Sequence, residues 1–243
     1  MATRSHTEET TLLPHVDEDG ILTIKAFEGA ITTRVLPCPG DRSFCFEVIF
    51  LLDHPRLVGA PKPPMHFHQY QDEYLRVLEG PLVLEEDGVQ HILTPESPEF
   101  TVKRGVHHRT YPCDPPPNGE EVPKVGRFLL SGQKSTEPFE LDLTFFENWY
   151  AYQEKVVLHG ERVDMIQVLS MFDAGGTYLS VPWWVPFRKA VARLLGVVVG
   201  RWIGGLLGYQ PFYRQWTTDW ELACQKMESC ISQRRFAERR KAT

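Results

Sequence analysis

The sequence predicts a mainly β protein, a sandwich or a barrel, followed by a helical extension. Two observations carry this. From Ile21 to about residue 130, short runs rich in β-branched and aromatic residues recur between Gly, Pro and Asp clusters, the pattern of many short strands in a two-layered or closed sheet. After about Pro138 the texture changes to stretches of helix-like composition, the last with apolar residues at three- and four-residue steps, as one buried helical face requires.

The elements follow in order. Residues 1–20 are polar, lack apolar periodicity and read as a loose tail, and Met1 to Asp19 shows no apolar core of a secretory signal. The predicted strand segments are 21–24, 31–36, 44–50, 74–78, 82–84, 89–93, 100–102 and 127–130, with Asp87-Gly88 as a hairpin signal. They define a β body over residues 21–140. In the extension, residues 141–243, segments 145–157 and 161–172 read as helices, and Asp173-Ala174-Gly175-Gly176 ends the second. Pro182 and Pro186 bracket Trp183-Trp184 ahead of an apolar segment, 187–207. A last helix is predicted from Asp219 toward Arg239. Trp220, Ala223, Met227 and Cys230-Ile231 lie on one face, and Thr217, Thr218 or Asp219 is its cap.

Composition narrows the function classes. The 243 residues include 26 basic and 32 acidic side chains, a formal charge of -6, which argues against general nucleic-acid binding because phosphates call for a basic face. Cys38, Cys45, Cys113, Cys224 and Cys230 are odd in number and form no CxxC pair. A disulfide framework is not expected, a reducing interior is, and the expected location is cytoplasmic.

The chemistry-bearing segment runs from Gly59 through Pro63-Pro64-Met65-His66-Phe67-His68 to Glu73 and Gly80. On a strand, residues two apart share a face, so His66 and His68 point together and Phe67 points away. Four residues then separate His68 from Glu73, enough for the chain to turn into a neighbouring strand. Two imidazoles and a carboxylate at one depth of a barrel suit a divalent first-row metal.

These residues resemble the first motif of the cupin superfamily, Gly-x5-His-x-His-x3–4-Glu-x6-Gly. His66, His68, Glu73 and Gly80 match, while Gly59 stands six residues before His66 rather than five. In the second motif, Pro-x-Gly-x-x-His, Gly105 and His108 match; Lys103 replaces the proline, and Ser97 and Pro112 stand where glycine and asparagine are usual. A register shift of one would exchange His108 for His107. The resemblance, best over residues 40–112, implies a cupin (double-stranded β-helix, jelly-roll) barrel. It also implies one divalent metal ion (Fe, Mn, Ni, Zn or Cu, with iron and zinc foremost) on His66, His68, Glu73 and His108. The extension is similar to the C-terminal region of small fungal cupins. That implies a tailoring enzyme of specialised metabolism acting on a small, largely apolar or aromatic substrate. An oxygenase or dioxygenase is favoured, with a redox-neutral isomerase or cyclase, or a non-catalytic binding cupin, as alternatives.

Tyr70, Tyr74 and Arg76 are the candidate catalytic groups, and Phe44, Phe46 and Phe100 candidate pocket walls. His107 is expected to face away from the cavity, and His54 and His91 to lie at the surface. Ala192, Gly196, Gly200, Gly204 and Gly208 recur every four residues, a bare stripe where another backbone can approach. Arg188, Lys189, Arg193 and Arg201 argue against a membrane-spanning helix. The stripe is expected to pack on the barrel or on a second subunit of a homodimer, with lipid contact by residues 187–208 as the alternative. The basic run Arg234 to Lys241 reads as a solvated helix end.

Overall fold

The computed structural model describes residues 14–113 and 123–238. Residues 1–13 of the expected tail, and Arg239, Arg240 and Lys241 of the basic run, lie outside them. Among the described residues, twelve strands, numbered in chain order, form two antiparallel sheets. Across the larger sheet the order is β1 (His15–Val16), β2 (Leu22–Ala26), β3 (Ile31–Val35), β4 (Arg42–Leu51), β11 (Val125–Gln133), β6 (Glu73–Glu79) and β9 (Phe100–Val102). Across the smaller it is β12 (Thr177–Leu179), β5 (His66–His68), β10 (His108–Pro112), β7 (Leu82–Glu86) and β8 (Val89–Leu93). Alternation decides what each strand buries. Phe44, Phe46, Val48 and Phe50 of β4 point inward and share one core with Leu75 and Val77 of β6 and Leu82 and Leu84 of β7. The result is two antiparallel sheets facing one another across a shared core, a jelly-roll-like β barrel.

Four helices complete the chain: α1 (Leu143–Val157), α2 (Met165–Ala174), α3 (Arg188–Leu207) and α4 (Trp220–Glu228). Aspartates cap three of them, as short side-chain acceptors do for the free N–H groups of a first turn. Asp142 accepts from Phe145 N, Asp164 from Ile166 N and Gln167 N, and Asp219 from Leu222 N. Phe145, Tyr152, Val168, Met171 and Phe172 of α1 and α2 join the barrel core. The glycine stripe of α3 is used within the chain. A Cβ on Gly200 would lie 2.5 Å from the Leu169 backbone of α2, and one on Gly196 2.8 Å from the Tyr178 ring. The middle of α3, Leu195–Gly204, is wound as a π-helix, a rare form over this length.

Three expectations are corrected. Residues 14–20 are not loose, because β1 pairs with β2 and Asp17 accepts from Ile21 N and pairs with Arg34. The last helix stops at Glu228 rather than running toward Arg239. Beyond it the chain folds back on α3, where Ser232 Oγ donates to the Arg201 carbonyl and Arg235 to the Leu206 carbonyl. The extension is also not purely helical. Its strand β12 is laid along β5, with Thr177 opposite His68 and Leu179 opposite His66.

Candidate metal centre

Strand register assembles the centre. His66 and His68 share one face of β5, and β10 places His108 directly opposite His66. The larger sheet presents Glu73, the first residue of β6, from across the barrel. Two left-handed glycines make this possible. Gly80 (φ 68°) ends β6 where a side chain would meet the Val125 carbonyl at 3.0 Å. Gly105 (φ 79°) donates its N–H to the His68 carbonyl at 2.7 Å in the turn that delivers His108. Glycine meets little steric penalty at such φ values.

The ligand-capable nitrogens of His66, His68 and His108 all lie within 4.8 Å of one another. Glu73 Oε2 is 3.1 Å from His108 Nε2, and Glu73 Oε1 is 3.5 Å from His68 Nε2. His68, His108 and Glu73 are buried, whereas His66 keeps partial exposure.

The outer partners set the tautomers. His66 Nδ1 is 3.0 Å from the Pro64 carbonyl and His108 Nδ1 3.0 Å from the Val106 carbonyl. A carbonyl only accepts, so both Nδ1 atoms carry hydrogen and both Nε2 atoms are left for the centre, where His108 Nε2 is held by Glu73 Oε2 and would exchange that hydrogen bond for an ion. His68 Nδ1 is 2.9 Å from Thr177 Oγ1, which donates its own hydrogen to the Gly175 carbonyl at 3.2 Å. The hydroxyl therefore accepts from His68, whose Nε2 lone pair also turns inward. That Nε2 is buried and has no hydrogen-bond partner, an unsatisfied position that an ion would fill. Three imidazole lone pairs and a carboxylate are a donor set for a divalent transition metal, and second-sphere partners of this kind hold metal-binding histidines in orientation.

The four groups also perturb one another's protonation. Burial pushes Glu73 up, but the hydrogen bond from His108 and the nearby His68 imidazole outweigh it and hold the carboxyl well below its ordinary range. Burial first, then repulsion from His108 and His68, keeps His66 well below its ordinary value. Burial lowers His68 in spite of Glu73. For His108, the Glu73 hydrogen bond and charge override burial and raise it.

An aromatic wall stands beside the centre. The Phe172 ring meets His66 edge-on at 6.3 Å and is itself flanked by Trp149 at 4.8 Å and Phe145 at 5.7 Å. Phe44 and Phe46, candidate pocket walls, are buried in the core against Phe146. Phe100 packs at the edge of the same core, with its ring 5.1 Å from His91.

The candidate catalytic groups are not brought to the histidines. Tyr74 and Arg76 alternate with buried Glu73, Leu75 and Val77 and so take the outer face of β6; Arg42 stacks over the Tyr74 ring and Arg76 is exposed. Tyr70 lies over Gly176 and near Tyr178, on the reverse side of β5. His107 faces away, as expected, with its ring 5.0 Å from Phe67 and its Nδ1 2.6 Å from Ser180 Oγ. Burial, then the charge of Arg188, lowers it to about 4. Sequence reasoning missed Thr177 and Phe172. The one local hint is Gly175-Gly176, which marks the chain reversal before β12.

No family model matches the sequence. The chain is 48% identical over 218 residues to the probable oxidoreductase yanE of Aspergillus niger, covering 88% of this chain and 83% of that protein. It is 40% identical over 222 residues to the epoxidase atD of Aspergillus terreus, covering 86% and 68% respectively. Among solved structures it is similar to a cupin-superfamily sugar phosphate isomerase from Silicibacter pomeroyi. That likeness is 20% identical with a TM-score of 0.35, covers 50% of this chain and 76% of the other, and bears on neither substrate nor reaction.

Proposed function

The chain belongs to a family of fungal oxidoreductases, and on that premise we propose that it is a metal-dependent oxygenase of specialised metabolism, oxidising a small, largely apolar or aromatic substrate with dioxygen. The observation that carries the reading is the convergence of the His66, His68 and His108 ring nitrogens, within 4.8 Å of one another beside the Glu73 carboxylate, with His68 Nε2 left without a hydrogen-bond partner. The printed names of the relatives, oxidoreductase and epoxidase, support oxidation over isomerisation.

His66, His68, Glu73 and His108 would hold the ion, with iron favoured for this chemistry; when bound it supplies Lewis acidity and a route for electrons to dioxygen. The remaining roles belong to the protein. Thr177 and the carbonyls of Pro64 and Val106 orient the imidazoles. Phe172, Trp149 and Phe145 exclude water and offer an apolar or aromatic substrate a matching wall beside His66, the ligand that keeps some exposure.

The test is metal analysis of the purified protein, followed by oxygen-electrode measurements with a panel of phenolic and polyketide-like compounds. Stoichiometric iron and substrate-dependent oxygen uptake, both lost in His66→Ala and His108→Ala, support the reading. Turnover without oxygen uptake would make the protein an isomerase or cyclase. Metal-free protein that binds the compounds equally well in both variants would make it a binding cupin.

A further inference from the structure

We propose that α3 and the loop before it form a docking surface for an anionic lipid bilayer, with the helix lying flat in the interface. One face of this helix is spoken for and the other is bare. Gly196, Gly200 and Gly204 are buried against α2, and Ala192 against Phe67 and Tyr178 on the outside of the smaller sheet. The opposite face projects large apolar side chains. Trp183 is 83% exposed, Trp184 69%, Phe187 86%, Leu194 61%, Leu206 72% and Leu207 64%. Singly exposed apolar residues are ordinary, but a contiguous patch of this kind marks an interaction site. Phe187 also sits at φ 54°, a conformation bulky residues rarely adopt, so the chain holds that ring outward against its own backbone preference.

Charge identifies the occupant. From Ala174 to Thr218 the sequence has five basic and no acidic residues, in a chain whose net charge is -6. Lys189 and Arg193 are exposed beside the apolar face, and Lys103 and Arg104 lie on the neighbouring turn, where Lys189 Nζ approaches Gly105. Arg188 pairs with Asp87 and Lys103 with Asp72, so the exposed charge beside the apolar face rests on Lys189 and Arg193. Basic residues flanking Trp, Phe and Leu on one side of a helix match a headgroup–acyl boundary.

Length and composition alone would also permit a spanning helix, since Arg188–Leu207 has 20 residues and a mean hydropathy of 1.6. Its attachments decide against that. Arg201 holds the buried Asp173 carboxylate at 2.5 and 2.9 Å, and Gly200 is pressed against the α2 backbone. Spanning would strip the helix from the barrel and carry that ion pair into hydrocarbon, which is costly. Lying flat preserves both contacts. Because α2 also carries Phe172, docking leaves the candidate metal centre one helix away from the lipid. The docking itself stands whether or not the centre binds metal.

The experiment is co-sedimentation of the full chain with phosphatidylcholine vesicles, with and without phosphatidylserine, alongside sedimentation velocity without lipid. The expected result is pelleting that rises with phosphatidylserine and falls with salt. Replacing three exposed aromatics (Trp183→Ser, Trp184→Ser and Phe187→Ser together) lowers partitioning on the order of a hundredfold. Lys189→Glu with Arg193→Glu removes the phosphatidylserine dependence. Melting temperatures of both variants stay near the parent's, because the altered side chains are exposed. Failure to pellet, pelleting indifferent to phosphatidylserine, or unchanged pelleting of the aromatic variant overturns the proposal. So does a lipid-free dimer that the aromatic variant converts to monomer, since a second copy of the chain would then be the occupant.

Discussion

Replacing Thr177 by valine tests the centre without touching a ligand. The two side chains are close in shape, so packing in this buried spot is retained while one hydroxyl is lost. His68 Nδ1, now 2.9 Å from Thr177 Oγ1, would face a methyl group. With a metal on Nε2, the hydrogen must stay on Nδ1 and is left buried without an acceptor, at a cost of about 1–3 kcal/mol. Without metal the ring can shift its hydrogen to Nε2 and donate toward Glu73 Oε1, 3.5 Å away, recovering part of that loss. The penalty therefore falls mainly on the metal-bound state. A loss of about 10–100-fold in metal affinity follows, equivalent to about 1.4–2.7 kcal/mol. Competition against a chelator of known affinity measures it, and melting of the metal-free protein supplies the control, expected to move by only a few degrees. Unchanged affinity in Thr177→Val, alongside abolished binding in His68→Ala, would refute the tautomer argument. An equal loss of stability in metal-free and metal-bound protein would refute the differential.

Other predictions follow from packing and charge. Burial pushes Glu147 up to about 7 from its ordinary 4.5, against the hydrogen bonds from Thr218. The folded state thus binds the proton more tightly, and its stabilising effect is complete at low pH and lost as pH rises from about 4.5 through about 7. Glu147→Gln, which mimics the protonated form, should flatten that slope in melts across the same window, and an unaltered slope would count against it. A Cβ on Gly200 would lie 2.5 Å from the Leu169 backbone, whereas one on Gly40 meets nothing within 4 Å. Gly200→Ala should therefore destabilise by about 1–3 kcal/mol in urea titrations, with Gly40→Ala near neutral. Lys226 Nζ is buried 2.5 Å from Asp142 Oδ2, and Asp142 also caps α1. Asp142→Ala should cost about 3–5 kcal/mol by stranding the ammonium, more than Asp219→Ala, which removes a cap alone at about 1 kcal/mol. Tyr74→Phe and Arg76→Ala, on the outer face of β6, should leave metal affinity within about twofold of the parent's, a difference below about 0.5 kcal/mol.

Period and spacing made part of the molecule legible before any coordinates. The β-rich run 44–50 marked β4, and the two-residue step of His66 and His68 put both on one face. The positive-φ demand of tight turns explains why Gly80 and Gly105 occur at fixed distances from Glu73 and His108. Asp173-Ala174-Gly175-Gly176 ended α2 where the helix does end. The same alternation turns Tyr74 and Arg76 to the outer face of β6, while Tyr70 lies in the loop after β5. Nearness in sequence to a ligand puts every second residue on the wrong side of the sheet.

What the amino-acid order determined by itself is local: which side chains share a strand face and where turns need glycine. Those rules put His66 and His68 on one face, while the pairing of β10 with β5 brought His108 opposite His66 and the second sheet brought Glu73 within reach. Only the tertiary structure decided what surrounds them. Thr177 reaches His68 from 109 residues away, Phe172 comes from a helix outside the β body, and the glycine stripe closes on α2 instead of a partner. Such contacts depend on how separate elements dock, and docking is governed by the fit of whole surfaces, which no periodicity in a single segment encodes.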